Sequence, residues 1–204
     1  MKSAVSRALA FLQLNKRIGI GEVGKVILLG GVCLGSFLLV QFAFVDLFKA
    51  QSDEITIKGW GQYLWFVFAL AILPAVFEEL VFRGLLFQWL RRIFPKGRVI
   101  WAVIISAALF SAYHMSLAQT VYQFILGIIF AMVVLYSGKL VLAMLLHFVN
   151  NFFIITYVFI AGTDNLGGAY SWGFVTVITM ILLACLGIPI IIELVKSLKE
   201  KNVQ

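Results

Sequence analysis

Six polar side chains lie where the surrounding sequence is almost wholly apolar: Glu78, Glu79, Arg83, His114, His147 and Asn151. The chain has only two histidines, and both are in this group. An ionisable group inside hydrocarbon is costly, so it is normally paired, functional or both. In FEELVFRG (Phe77 to Gly84), Glu79 and Arg83 stand four apart with the acid first, the favourable order for an ion pair on one helix face. Glu78 is turned about 100° away from that pair and has no partner within the stretch. One glutamate is therefore predicted to be paired and the other to be available. Phe110 and His114 are four apart, as are His147 and Asn151, so each pair shares a helix face. An imidazole and a carboxamide on one face can donate two hydrogen bonds to a single oxygen, which suits an oxyanion. A carboxylate with a nearby histidine can take a proton from water. Together these are the parts for hydrolysing a peptide bond with activated water.

The elements that must position these groups follow from composition. The chain has 204 residues, 63% of them hydrophobic, with a mean hydropathy of +1.06. A soluble domain is nearer half apolar, so this composition predicts an integral membrane protein of all-α class, a single polytopic bundle of transmembrane helices. Six apolar runs are long enough to be spans or most of one: Gly24–Phe48, Trp60–Leu90, Val99–Tyr113, Thr120–Tyr136, Leu140–Ile160 and Gly173–Leu194. As one straight helix the second would measure ~46 Å, which exceeds the ~30 Å hydrocarbon core. Pro74 is expected to kink it, or the part after Phe82 to bend into the interface; if the run splits, there are seven spans. Residues 1–23 read as a basic amphipathic or loose N-terminal segment, residues 24–196 as the helical core, and residues 197–204 as a charged tail. Asp46 and Glu193 fall at span ends, within reach of water. Cys33 and Cys185 lie in apolar runs and are read as small packing residues rather than a disulfide. No removable signal peptide is expected.

Charge orders these spans. The formal net charge of +7 sits at segment ends rather than along one soluble face, which argues for membrane orientation and against a nucleic-acid partner. With both termini in the cytoplasm, thirteen of the sixteen Lys and Arg residues fall on the inner side. Lys49 and Lys58 fall outside, and Arg83 within the membrane. Counted from the basic ends at the helical rise, Glu78 lies ~20 Å from Arg91 and His114 ~24 Å from Arg98. His147 and Asn151 lie ~12 Å and ~18 Å from Lys139 on the same rise. The four can meet in one layer of the bundle.

The sets EELVFR (Glu78–Arg83), FSAYH (Phe110–His114) and HFVNN (His147–Asn151) resemble the EExxxR, FxxxH and HxxxN motifs of the CAAX prenyl protease and bacteriocin-processing (CPBP, Abi) family of intramembrane proteases. Each motif alone is weak, but three in order on separate spans are specific. The resemblance covers about Trp60 to Phe159, roughly half the chain. It implies an intramembrane endopeptidase with its site in a cavity open to the cytosolic side, in a bacterial plasma membrane. On it, Glu78 and His114 would activate water, His147 and Asn151 would hold the oxyanion, and Glu79 and Arg83 would support the helix. The substrate would be a membrane-associated peptide or protein. The family has been described both with and without a metal. No HExxH occurs here, so no cofactor is favoured, and a zinc site would have to use Glu78, His114 and His147.

Two other classes compete. A proton-coupled transporter also buries Glu and His, but the chain is short and has no inverted repeats or paired broken helices. A non-catalytic scaffold or bacteriocin-immunity protein would use the same fold without turnover. The topology has its own test: cysteine labelling from outside the cell should reach the Gly162–Tyr170 loop and not the Arg91–Arg98 loop. The reverse pattern would overturn the six-span map.

Overall fold

The computed structural model describes residues 4–43, 57–115 and 117–161. The expected sixth span, the Gly-rich loop before it, the charged tail, Asp46, Cys185 and Glu193 lie outside the described residues. Among the described residues there is no strand. Six helices follow one another: α1 (Ala4–Phe11), α2 (Ile20–Ala43), α3 (Gly59–Ile93), α4 (Val99–Tyr113), α5 (Leu117–Ser137) and α6 (Leu140–Ala161). α4 packs along α5, α2 along α6, and α6 against the middle of α3. α3 and α6 are each long and apolar enough to cross a membrane, and α4 and most of α5 are shorter apolar helices. The protein is an all-α membrane bundle.

The long second run does not split. α3 is helical without a break for 35 residues, and it accommodates Pro74 by widening instead. Two π-helical stretches, Val67–Ile72 and Leu80–Leu86, flank the α-helical segment Leu73–Glu79 that carries the proline in its first turn. A proline lacks the N–H that an α-helix would use, and wide turns near such a site re-route the ladder. The wide turns also shape the lipid face. Trp60, Leu64, Phe68, Ile72 and Val76 recur every fourth residue, followed by Phe77, Val81, Leu85, Trp89 and Ile93, and all are exposed. A four-residue step drifts around an α-helix, and the lower twist of an i→i+5 turn counters that drift, so the apolar stripe stays on one side. The other side of α3 buries Ala71, Ala75, Glu79, Phe82, Arg83 and Phe87 against the bundle.

Apart from Lys58 at the start of α3 and the buried Arg83, the basic residues named here gather at one end. Arg91 and Arg92 lie in the last turn of α3, Arg98 directly precedes α4, and the α5–α6 turn carries Lys139. The N-terminal segment is tied to the same end. Leu140 donates its backbone N–H to the Gln13 carbonyl (3.2 Å), and the Arg92 guanidinium lies 4.1 Å from the Phe11 ring centroid. The turn itself needs Gly138, whose φ of +62° is left-handed. Ser137 steadies it by donating to the Val133 carbonyl (2.6 Å) and accepting from the Lys139 N–H (3.1 Å).

Lys139 then reaches Glu22 with Nζ 2.6 Å from both carboxylate oxygens, and both residues are buried. Glu22 also accepts from the Gly19 N–H at 2.7 Å, capping the start of α2. This ion pair clamps α2 to the α5–α6 turn. Lys139→Ala should lower stability by up to ~3–5 kcal/mol, because it takes the Lys139 cation away from a buried carboxylate. Replacing both by methionine should recover most of that loss. Thermal unfolding in detergent measures both, and an unaffected single variant would show that the clamp does not hold α2.

Candidate active site

α3 delivers two adjacent carboxylates to different surroundings. Glu79 is fully buried, at 0% exposure. Its Oε1 accepts from Arg83 Nη1 at 2.9 Å and faces His147 Nδ1 at 3.0 Å. A carboxylate oxygen of this kind only accepts, so Nδ1 of His147 carries the hydrogen. The same imidazole turns its Nε2 toward Glu78, 3.9 Å from Oε2. That is longer than a hydrogen bond. Glu78 Oε2 is buried and has no hydrogen-bond partner among the described residues. The two neighbours thus divide as their spacing predicts, with one committed and one available. The spacing does not reveal that Glu79 also grips His147, which makes it the orienting group for a site residue on another helix.

Arg83 is as buried as its partner. Nη2 donates to the Gly127 carbonyl at 3.1 Å, and the guanidinium carbon lies 4.2 Å and 5.2 Å from the ring centroids of Phe110 and Phe130. These rings supply negative π faces to the cation. They also hold His147, which stacks on Phe130 (centroids 5.1 Å) and meets Phe110 edge to face (5.9 Å). Gly127 is required by this packing: a Cβ there would stand 3.0 Å from the Ala107 Cα and 3.2 Å from Arg83 Nη2. Helices α4 and α5 meet closely at that point, in the small-residue manner of membrane helices.

His114 caps the C-terminal end of α4. Its backbone N–H turns to the Ser111 carbonyl (3.2 Å), and Met115 follows with a left-handed φ of 47°. The Phe110 carbonyl, one of the last of the helix, is taken by the His114 ring through Nδ1 at 2.9 Å. A carbonyl can only accept, so this imidazole also carries its hydrogen on Nδ1, and its neutral form offers Nε2 as an acceptor. His114 packs edge to face on Phe110 at 4.9 Å. Both imidazoles lie close enough to Glu78 to interact with it electrostatically.

Asn151 follows His147 by one turn of α6. Its Nδ2 donates to the Leu70 carbonyl at 3.0 Å. Leu70 is four residues before Pro74, so this carbonyl is the one whose α-helical partner the proline removes. Asn151 Oδ1 accepts from Asn150 Nδ2 at 3.2 Å, and Asn150 Oδ1 accepts from the Tyr122 hydroxyl at 2.5 Å. The motif residues do not announce Asn150 and Tyr122. The only sequence signal is a second asparagine within an apolar span.

Two imidazole nitrogens and a carboxylate are chemically a zinc donor set. Yet no three His, Cys, Asp or Glu side chains among the described residues gather closely enough to hold one ion. As placed, Glu78, His114 and His147 do not form a ligand set.

The site predicts how Glu79 fails. Glu79→Gln leaves Arg83 buried without its counter-charge and offers His147 a neutral amide in place of a carboxylate. Losing one partner of a buried pair costs ~3–5 kcal/mol. Folded yield and activity should therefore fall together. Full activity at normal yield would show that the pair does not hold this helix.

Residues 60–153 match the family described as type II CAAX prenyl endopeptidase Rce1-like, a protease family. No curated protein and no solved structure matches the chain. Every group in the site, from the Leu70 carbonyl to the Asn151 amide, falls inside the matched stretch. Residues 60–153, just under half of the chain, are thus similar to the Rce1-like type II CAAX prenyl endopeptidases, the kind of family that the three motifs resemble.

Proposed function

We propose that the protein is an intramembrane endopeptidase that cleaves a membrane-associated peptide or protein with water activated by Glu78. The observation that carries this reading is the His147 imidazole held between two carboxylates, Glu79 at Nδ1 and Glu78 at Nε2. It supports a site in which one carboxylate is structural and the other has a buried oxygen free to take a proton.

In this reading Glu78 Oε2 accepts one hydrogen of the water and His114 Nε2 the other, which turns the water's lone pair toward the scissile carbonyl. As the C–O bond forms, Glu78 takes the proton. The oxyanion accepts from Asn151 and from His147 Nε2 when that nitrogen is protonated. Two carboxylates against the single Arg83 guanidinium leave one negative charge. One added proton makes the cluster neutral, the less costly state away from water. Carried on His147, that proton is the oxyanion donor. On collapse the C–N bond breaks, and Glu78 returns its proton to the leaving amine. No metal takes part in these steps. In this reading the basic end faces the cytoplasm, and the site is reached from that side.

A cleavage assay of purified protein against a peptide library tests the reading. Glu78→Gln keeps the shape and removes the base, so the variant should fold normally and lose nearly all cleavage. Asn151→Ala should be milder, since one oxyanion donor is worth ~10²–10³ in rate. His114→Ala and His147→Ala should both be severe. Chelator should leave cleavage intact. Abolished cleavage with stoichiometric zinc on the purified protein would overturn the base assignment and make Glu78 and the histidines ligands. A Glu78→Gln protein that keeps its cellular effect would instead favour a scaffold.

A further inference from the structure

Resting on that reading of Asn151, we infer that Asn150 and Tyr122 are positioning residues that fix which way round the Asn151 amide sits. The three side chains form one directed chain of hydrogen bonds from α5 to α3. Its direction is set from the α3 end. The Leu70 carbonyl can only accept, so Asn151 must present Nδ2 to it. Oδ1 of Asn151 then faces Asn150, which must present its own Nδ2 (3.2 Å). That leaves Oδ1 of Asn150 facing Tyr122, which must donate its hydroxyl hydrogen (2.5 Å). Each link permits one orientation of the next.

An asparagine amide differs little in shape when turned over, so packing alone discriminates poorly between its two orientations. In the wrong one, Asn151 would set an oxygen against the Leu70 carbonyl and lose its donor to an oxyanion. In the observed one, a single N–H serves Leu70. The second makes no hydrogen bond to any described residue and is the donor left for substrate. Asn150 is 2% exposed, so water does not replace a missing link. Tyr122 supplies its donor from a helix that carries none of the motif residues, which makes the pose of Asn151 depend on the packing of α5.

Two variants and one spectroscopic signature test this. Tyr122→Phe removes that donor with little change of shape, and Asn150→Leu removes the middle link. Using the peptide that the library assay selects, Tyr122→Phe should lower kcat about tenfold and Asn150→Leu closer to a hundredfold, with KM little changed, since the lost interaction belongs to the transition state. In an Asn151→Ala background neither substitution should lower kcat further. Losses that multiply in that background, or an unchanged kcat in both variants, would overturn the relay. The second measurement needs no turnover. In protein labelled with 15N-asparagine, the Asn151 side-chain amide signal, identified by its loss in Asn151→Ala, should shift in Tyr122→Phe. An unshifted signal refutes the relay even if cleavage is found. A shifted one sustains it even if no peptide is cut and the protease reading fails.

Discussion

One oxygen atom holds the site together. Glu79 Oε1 accepts from Arg83 on its own helix and from His147 on α6. Through Arg83 the link extends to the Gly127 carbonyl on α5. Three helices thus meet around a carboxylate with no exposure to solvent. In such surroundings a charge without its partner is far more costly than one on a surface, so each member constrains the others. Glu78 differs in that both imidazoles lie near it, and among the described residues its buried Oε2 makes no hydrogen bond. The different surroundings of two adjacent glutamates follow from a turn of about 100° on one helix.

Backbone carbonyls provide the second constraint. In an apolar bundle a carbonyl without a helical partner must be satisfied by a side chain. Here the side chains that do so are close to the chemistry. Asn151 serves Leu70, whose partner Pro74 removes, and His114 serves Phe110 at a helix end. Ser106 adds a second donor, at 3.2 Å, to the Phe82 carbonyl within the second wide turn, which already accepts from the Phe87 N–H. Because a carbonyl only accepts, each bond also fixes a tautomer or an amide orientation. The same contacts that repair irregular backbone therefore pre-set the donors and acceptors of the site, a form of preorganisation.

Phe110 and Phe130 form the third. They present their faces to Arg83 and pack against His147, and Phe110 also meets His114. The phenylalanine of the FxxxH motif is thus the ring around which the cation and both imidazoles are arranged. Its replacement by an aliphatic residue would keep the volume but remove the quadrupole that favours a buried cation.

The sequence by itself determined the membrane class, the helical runs described here, the Glu79–Arg83 pair and the identity of the three motifs. Each depends on composition or on spacing within one helix, where 3.6 residues per turn convert distance along the chain into a shared face. The tertiary structure decided what crosses between helices. Periodicity does not show that His147 hangs on Glu79 or that Arg83 reaches Gly127. Nor does it show that Asn151 belongs to a chain reaching Tyr122, since residues 68, 44 and 28 positions apart meet only after packing. It also decided how Trp60–Leu90 accommodates Pro74. Proline marks where an α-helix is strained, but whether the chain breaks, kinks or widens depends on what partner the freed carbonyl finds. Here Asn151 of α6 supplies that partner to Leu70, and the helix runs on unbroken.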